Sequence, residues 1–140
     1  MRPQLSSALQ ALWTKIYSPP YLSFPEAVAA LTELGVTRYR VDYATAITTS
    51  YVDSTGETFQ FSMPDELKHS IVQTKWNLEG LKEAINGAQT GTIGGYKEFS
   101  RRAIESGVVD YVAYIAGERC VYGGWRGDGH VEWFPGAKRD

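Results

Sequence analysis

Residues 96–135, YKEFSRRAIESGVVDYVAYIAGERCVYGGWRGDGHVEWFP, decide the fold of this chain. The stretch opens with apolar residues at helical spacing. The predicted helix ends at Gly107, because glycine takes the left-handed conformation that terminates many helices. Apolar residues then recur with period two, which is typical of strands. The sequence therefore predicts one helix followed by three strands that fold back on each other.

An earlier stretch, residues 24–61, has a similar pattern when positions are offset by 72. The offset aligns the two helix terminators, Gly35 and Gly107, and the first inward strand residues, Tyr39 and Tyr111. Backbone and register constraints are strongest at such positions, so their agreement favours an internal repeat. Any junction of a helix, a glycine and a strand has a similar pattern. The alternative to an internal repeat is therefore that the two stretches are similar only because each contains such a junction.

Two helix–three-strand units predict an α+β fold, with a single domain over residues 1–140 and one antiparallel sheet. The units would be related by an approximate twofold, with helices packed mainly on one face. An N-terminal helix over about residues 4–17 and connecting helices over about residues 62–89 complete the domain. Because Val112 and Tyr114 are apolar, their strand is expected to be central and covered on both sides. The helix-covered face is predicted to carry Tyr39, Val41, Phe59, Phe61, Tyr111, Val131 and Trp133. The opposite, polar face is predicted to carry Arg38, Arg40, Asp42, Thr58, Gln60, His130 and Glu132.

The composition of the 140 residues, 43% hydrophobic and 21% charged, is that of a globular protein. A formal net charge of −2 gives no strong signal for nucleic acid or anionic lipid. The single cysteine, Cys120, excludes an internal disulfide and favours a reducing compartment. No apolar run reaches the length of a signal peptide core or a membrane span. A cytoplasmic protein without membrane association or cofactor is therefore expected.

The N-terminal helix carries a continuous apolar stripe that includes Leu9, Trp13 and Ile16. Such a stripe has to be covered. The protein's own core is one candidate for that cover, and a dimer contact or a partner's groove is the other. A homodimer would therefore be sought at this helix.

The helix YKEFSRRAIESG and the following GVVDYVAYIAGERCVYGGWRGDGHVEWFP resemble the YbcV/YdfO-like family of small bacterial and prophage proteins, loosely labelled phage envelope proteins. The likeness runs from about residue 24 to residue 135. It rests on two helix–Gly–Val–x–x–Tyr junctions and on the terminal V-E-x-F-P. The resemblance implies an α+β domain of unknown function and supplies no catalytic residues.

Asp128, His130 and Glu132 are spaced two residues apart, which places them on one face of a strand. Such a row could ligate a divalent metal, or could pair a histidine with a carboxylate for acid–base catalysis. Asp128 lies in a glycine-rich turn, however, and polar residues also alternate along any solvated sheet face. A solvated face is therefore the alternative to a catalytic or metal site.

Four further residues are candidates for binding. Arg38 and Arg40 could form an anion-binding row on the polar face, or could serve only to keep that face soluble. Trp125 and Arg126 lie in the glycine-rich loop 123–129, and these residue types are common at binding hot spots. The alternative for Trp125 is an indole folded back over the sheet edge.

These patterns favour a non-enzymatic binding or interaction module of prophage or accessory-gene type. Its protein or small-molecule partner would dock on the polar face or on the Trp125 loop. The alternative is a small enzyme or metal-binding protein that uses His130 and Glu132. A concave pocket holding the histidine and a carboxylate would favour the enzyme, whereas a flat face or an uncovered apolar patch would favour the interaction module.

Overall fold

Helices precede each of two runs of three consecutive strands. The structure is a computed structural model, and it describes residues 3–138. Over this range the helices are α1 (Pro3–Ile16), α2 (Phe24–Glu33), α3 (Asp65–Lys68), α4 (Leu78–Thr90) and α5 (Gly95–Glu105). The strands are β1 (Arg38–Asp42), β2 (Ile47–Val52), β3 (Glu57–Ser62), β4 (Val108–Tyr114), β5 (Arg119–Gly124) and β6 (Gly129–Trp133).

Local sequence signals set the ends of the two helices that lead into strands. Ser23 Oγ accepts a hydrogen bond from the Glu26 N–H, and the Ser23 N–H donates to Glu26 Oε1, which together form a capping box at α2. Beyond the helices, Gly35 and Gly107 have φ angles of 88° and 91°. Gly107 has a second constraint, since a Cβ there would lie 2.7 Å from the Lys75 carbonyl oxygen. Both glycines therefore end their helices as predicted.

All six strands of the described chain form one antiparallel sheet in the order β3-β2-β1-β4-β5-β6. β1 and β4 pair at its centre, with Arg40 opposite Val112. β3 and β6 form the two edges. The predicted α+β fold with a single antiparallel sheet is confirmed.

The helices pack on one face of the sheet, where Tyr39, Val41 and Tyr111 are buried as predicted. Tryptophan, tyrosine and serine side chains in this core have polar atoms that need hydrogen-bond partners. Helix-to-sheet hydrogen bonds supply several of them: Trp13 Nε1 to Ser50 Oγ (2.9 Å), Tyr39 Oη to Tyr96 Oη (2.9 Å) and Tyr43 Oη to Ser100 Oγ (3.0 Å). These hydrogen bonds fix the positions of α1 and α5 relative to the sheet.

The apolar stripe of α1 packs against the protein's own core. Leu9 and Ile16 are fully buried, and Trp13 is nearly so. The sequence left open whether this stripe packs on the protein's own core or on a partner. For these three residues the structure shows packing on the core. Across residues 3–138, no helix combines the length and the apolar character needed to cross a membrane.

Two predictions about β4 and β6 are wrong. Val131 and Trp133 are paired with Val121 and Arg119, on the open face of the sheet. Val131 is 46% exposed, and the Arg119 guanidinium lies 4.1 Å above the Trp133 ring. β4 is central but not covered on both sides, since Tyr114 is 38% exposed on the open face. β4 carries apolar residues on both faces, and the apolar residues of β6 lie on the open face, so alternation alone could not assign the helix-covered face of these strands.

Candidate functional site

His130 and Glu132 lie on the helix-covered side of the sheet, which corrects their predicted place on the polar face. His130 is directly opposite Tyr122, and Glu132 is directly opposite Cys120. Directly opposed residues of neighbouring strands share a face. Tyr122 and Cys120 are each 5% exposed beneath the helices. The whole thickness of the sheet therefore separates His130 and Glu132 from the arginines of β1.

A cleft of about 390 Å³ lies between the helices and the β5–β6 end of the sheet. Its sheet side includes Cys120, Tyr122 and Glu132. The start of α2, the end of α4 and the loop before α5 supply the other walls. The lining is mainly apolar, and its aromatic members are Tyr21, Phe24, Tyr96, Phe99, Tyr111, Tyr122 and Phe134. Trp133 also borders the cleft, although its ring lies against Arg119 on the open face.

One wall of the cleft depends on the close approach of Tyr21 to Gly95. Gly95 has a φ angle of 84°, and a Cβ there would lie 2.3 Å from Tyr21 Cγ. No side chain larger than hydrogen fits between the two residues without displacing the ring. Gly95 thus allows the aromatic ring of Tyr21 to pack against the start of α5.

His130 and Glu132 are in contact with each other. His130 Nε2 lies 3.0 Å from Glu132 Oε1, and the imidazole is nearly parallel to the Tyr122 ring, with centroids 6.3 Å apart and 25° between the planes. The Glu132 side chain is 33% exposed and lines the cleft, whereas the His130 side chain is 17% exposed. His130 is not among the described residues that line the cleft. The carboxylate is therefore the member of the pair that a bound molecule would meet.

Asp128, the predicted third member of this row, lies in the turn before β6. Its carbonyl oxygen accepts a hydrogen bond from the Gly124 N–H, which closes the turn. The first paired residue of β6 is Gly129, so Asp128 is outside the strand. In the part of the chain that the structure describes, no three His, Cys, Asp or Glu side chains are grouped so that they could hold a metal ion.

Cys120 contributes a neutral thiol to the cleft. Burial raises its pKa to about 12, and the nearby Glu132 carboxylate acts in the same direction. At neutral pH the side chain therefore stays a thiol, which is a poor nucleophile. Cys120, which is 5% exposed, therefore packs as a small buried hydrophobic residue.

The sequence matches the family described as "Protein of unknown function (DUF1398)" over residues 21–131. The chain belongs to the DUF1398 family. A search of curated proteins finds no significant match. The matched range includes most of the cleft of this DUF1398 protein, from Tyr21 through Tyr122, and ends just before Glu132. The family description names no function, so the closer likeness to the YbcV/YdfO-like phage proteins stays a prediction.

Arg38 and Arg40 of this DUF1398 protein lie on the open face, where each forms a salt bridge with a carboxylate. Arg38 Nε is 3.1 Å from Asp53 Oδ2, and its guanidinium lies 3.8 Å from the centre of the Tyr51 ring. Arg40 Nη2 donates to Asp110 Oδ2 at 2.7 Å. Hydrogen bonds to these carboxylates raise the pKa of both guanidinium groups. An anion would have to compete with these partners, so the binding role of the two arginines stays a prediction.

Trp125 and Arg126 lie in the loop between β5 and β6 of the DUF1398 domain. Trp125 is half-buried, and its Nε1 is buried without a hydrogen-bond partner. Arg126 is exposed. The indole is therefore folded against the protein, and a contact of Trp125 or Arg126 with a ligand stays a prediction.

Sequence reasoning missed two surfaces of the DUF1398 fold. One is the cleft, whose walls come from four distant parts of the chain. The other is an apolar patch on the open face that comprises Tyr114, Val121 and Val131, which are 38%, 37% and 46% exposed. Apolar residues on both sides of β4 were the available signal for this patch, although they were interpreted as burial of that strand on both sides.

Proposed function

We propose that this DUF1398 protein is a non-enzymatic binding module whose cleft takes a small, largely apolar ligand. The observation that carries the proposal is the cleft of about 390 Å³ with its aromatic lining. Small-molecule sites usually have volumes of about 300–1,000 Å³, with mostly apolar walls and a few placed polar groups. The cleft falls within that range.

The polar groups of the cleft favour binding over catalysis. Glu132 presents a carboxylate, and Cys120 presents a thiol that burial keeps protonated. A catalytic site would need a second reactive group converging on the same space. His130 contacts Glu132 from outside the described lining of the cleft, so the carboxylate is left to orient a ligand.

The test is saturable binding of N-phenyl-1-naphthylamine, a neutral aromatic probe that becomes fluorescent in apolar surroundings. Ala88 lines the cleft from α4, and the variant A88F fills part of the space. Ala11 is exposed on α1 and is not among the described lining residues, so A11F is the matched control. We expect A88F to weaken probe binding by about tenfold or more and A11F to leave it unchanged.

Thermal unfolding of both variants shows whether the exchanged side chain has disturbed the fold. Probe binding that is absent in the wild-type chain would contradict the proposal. Equal binding by wild-type protein and a folded A88F variant would show that the probe binds elsewhere, with the same consequence.

A small acid–base enzyme is the second candidate function. It is favoured by the 3.0 Å contact between His130 Nε2 and Glu132 Oε1, with the carboxylate at the cleft. In this function Glu132 would orient the imidazole, and His130 would transfer the proton. Hydrolysis of p-nitrophenyl acetate above the buffer rate, lost in H130Q but retained in H69Q, would support it.

A further inference from the structure

The walls of the cleft present aromatic rings at several angles. Phe24 and Tyr96 are nearly parallel, with centroids 6.5 Å apart and 20° between their planes. Phe134 stands at 83° to Phe24 with centroids 5.0 Å apart. Phe99 of α5 and Tyr122 of β5 also line the cleft. Aromatic rings are negative at their faces, so a set of differently oriented rings is suited to surround a positive charge.

The charged groups of the cleft have the same sign as the ring faces. Glu132 and Glu26 line it, and none of the described residues of its lining is a lysine or an arginine. Glu132 Oε1 is 3.0 Å from His130, while Oε2 accepts no hydrogen bond from the described residues. Glu26 lies at the exposed edge of the cleft, where Ser23 holds its carboxylate. One carboxylate oxygen beside the aromatic walls is therefore available to a bound molecule.

We infer that the cleft selects an organic cation, an amine or quaternary ammonium with an aromatic or branched aliphatic body. This inference rests on the proposed binding function of the cleft. The apolar body would contact the rings, and the cationic group would lie near Glu132 Oε2. An anionic ligand of the same shape would meet two carboxylates without a compensating lysine or arginine in the described lining, so its binding is opposed.

Three probes with one shared body test the inference: 4-phenylbutylamine, 4-phenylbutan-1-ol and 4-phenylbutanoate. Each competes with N-phenyl-1-naphthylamine for the wild-type protein at neutral pH, where the amine is a cation and the acid an anion. We expect the amine to bind about tenfold more tightly than the alcohol, and the alcohol more tightly than the carboxylate. Equal affinity of amine and alcohol, or tighter binding of the carboxylate, would overturn the inference but leave the binding function in place. Absence of naphthylamine binding would overturn both.

The variant E132Q locates the charge selection. It keeps the shape of the side chain and removes the carboxylate, so we expect most of the tenfold advantage of the amine to disappear while the alcohol binds as before. Glu83 is exposed on α4 and is not among the described lining residues, so E83Q is the control with the same change in net charge. An unchanged amine advantage in folded E132Q would overturn the assignment to Glu132.

Salt provides a test that needs no variant. Raising sodium chloride from about 50 mM to about 500 mM shortens the screening length and weakens exposed charge interactions. We expect the advantage of the amine over the alcohol to shrink severalfold, with little change for the alcohol itself. If neither salt nor E132Q reduces the affinity of the amine relative to that of the alcohol, the inference is overturned.

Discussion

Ala46 and Glu118 both adopt the left-handed backbone conformation, with φ angles of 58° and 55°, and they are 72 positions apart. Each precedes the second strand of its three-strand run. The hydrogen bonds around them also correspond, since the Tyr43 N–H donates to Val109 O and the Ile115 N–H donates to Thr37 O, again with an offset of 72. These agreements support the predicted internal repeat, which stays a prediction.

A glycine at position 118 should stabilise the protein relative to an alanine there. Both E118A and E118G remove the hydrogen bond from the Lys138 N–H to the Glu118 carboxylate, so the pair differs mainly in the strain of a positive φ. Relief of that strain favours E118G by about 1 kcal/mol, partly offset by the greater freedom of glycine in the unfolded chain. Urea unfolding measures the difference. Equal stability of the two variants, or a more stable E118A, would contradict this expectation.

The hydroxyl pair of Tyr39 and Tyr96 should show strong coupling in a double-mutant cycle. The two oxygens are 2.9 Å apart in the core, between β1 and α5. Either Y39F or Y96F leaves one buried hydroxyl unpaired, at an expected cost of about 1–3 kcal/mol. The double variant should lose less than the sum of the two, as measured by urea unfolding. Y114F, on the open face, is the control and should change stability by less than about 0.5 kcal/mol.

Buried tyrosines should make the fold sensitive to alkaline pH. Desolvation raises the pKa of six phenols above their ordinary value of about 10, those of Tyr17, Tyr39, Tyr43, Tyr96, Tyr111 and Tyr122. Above pH 10 the unfolded chain loses these protons while the folded chain keeps them. Their contribution to stability is therefore complete below about pH 10 and decreases as the pH rises further.

The melting temperature should accordingly fall as the pH is raised beyond about 10, and the tyrosinate absorbance at 295 nm from these six residues should appear together with the loss of circular dichroism. Ionisation of all nine tyrosines in a single step near pH 10, with the circular dichroism intact, would contradict the burial of these phenols.

Cys120 should resist alkylation in the folded protein. With a pKa of about 12 in place of 9.0, its thiolate fraction at pH 8 is lower by roughly 1,000-fold, and burial limits access in addition. Iodoacetamide should therefore react at least about 1,000 times more slowly with the folded chain than with the same chain in concentrated urea. Mass spectrometry follows the reaction, and comparable rates in the two states would show that Cys120 is accessible.

Local features of the fold could be predicted because the responsible residues are neighbours in the chain. Ser23 and Glu26 form their capping box within one turn, and Gly35 and Gly107 end helices through their own backbone freedom. The alternation in β1 also assigned the buried side of Tyr39 correctly, since the residues between are charged.

The site could not be predicted in the same way, because it depends on packing between distant segments. Phe24, Tyr96 and Phe134 meet in the cleft although about 40 to 70 residues separate neighbouring members in the sequence. His130 and Glu132 were placed on the wrong face because Val131 and Trp133 are apolar and yet lie on the open side. The pairing of β6 with β5 determines that the polar residues of β6, and not its apolar residues, face the helices.

The central pairing of β1 with β4 also bears on how the chain reaches this structure. The partners Asp42 and Asp110, or Arg38 and Tyr114, are about 70 residues apart, so the middle of the sheet closes a long loop. During synthesis the first three strands leave the ribosome without their central neighbour, and β1 keeps an unpaired edge until β4 emerges. Refolding should likewise be slow compared with that of a helical bundle of this size, because long-range contacts limit the rate.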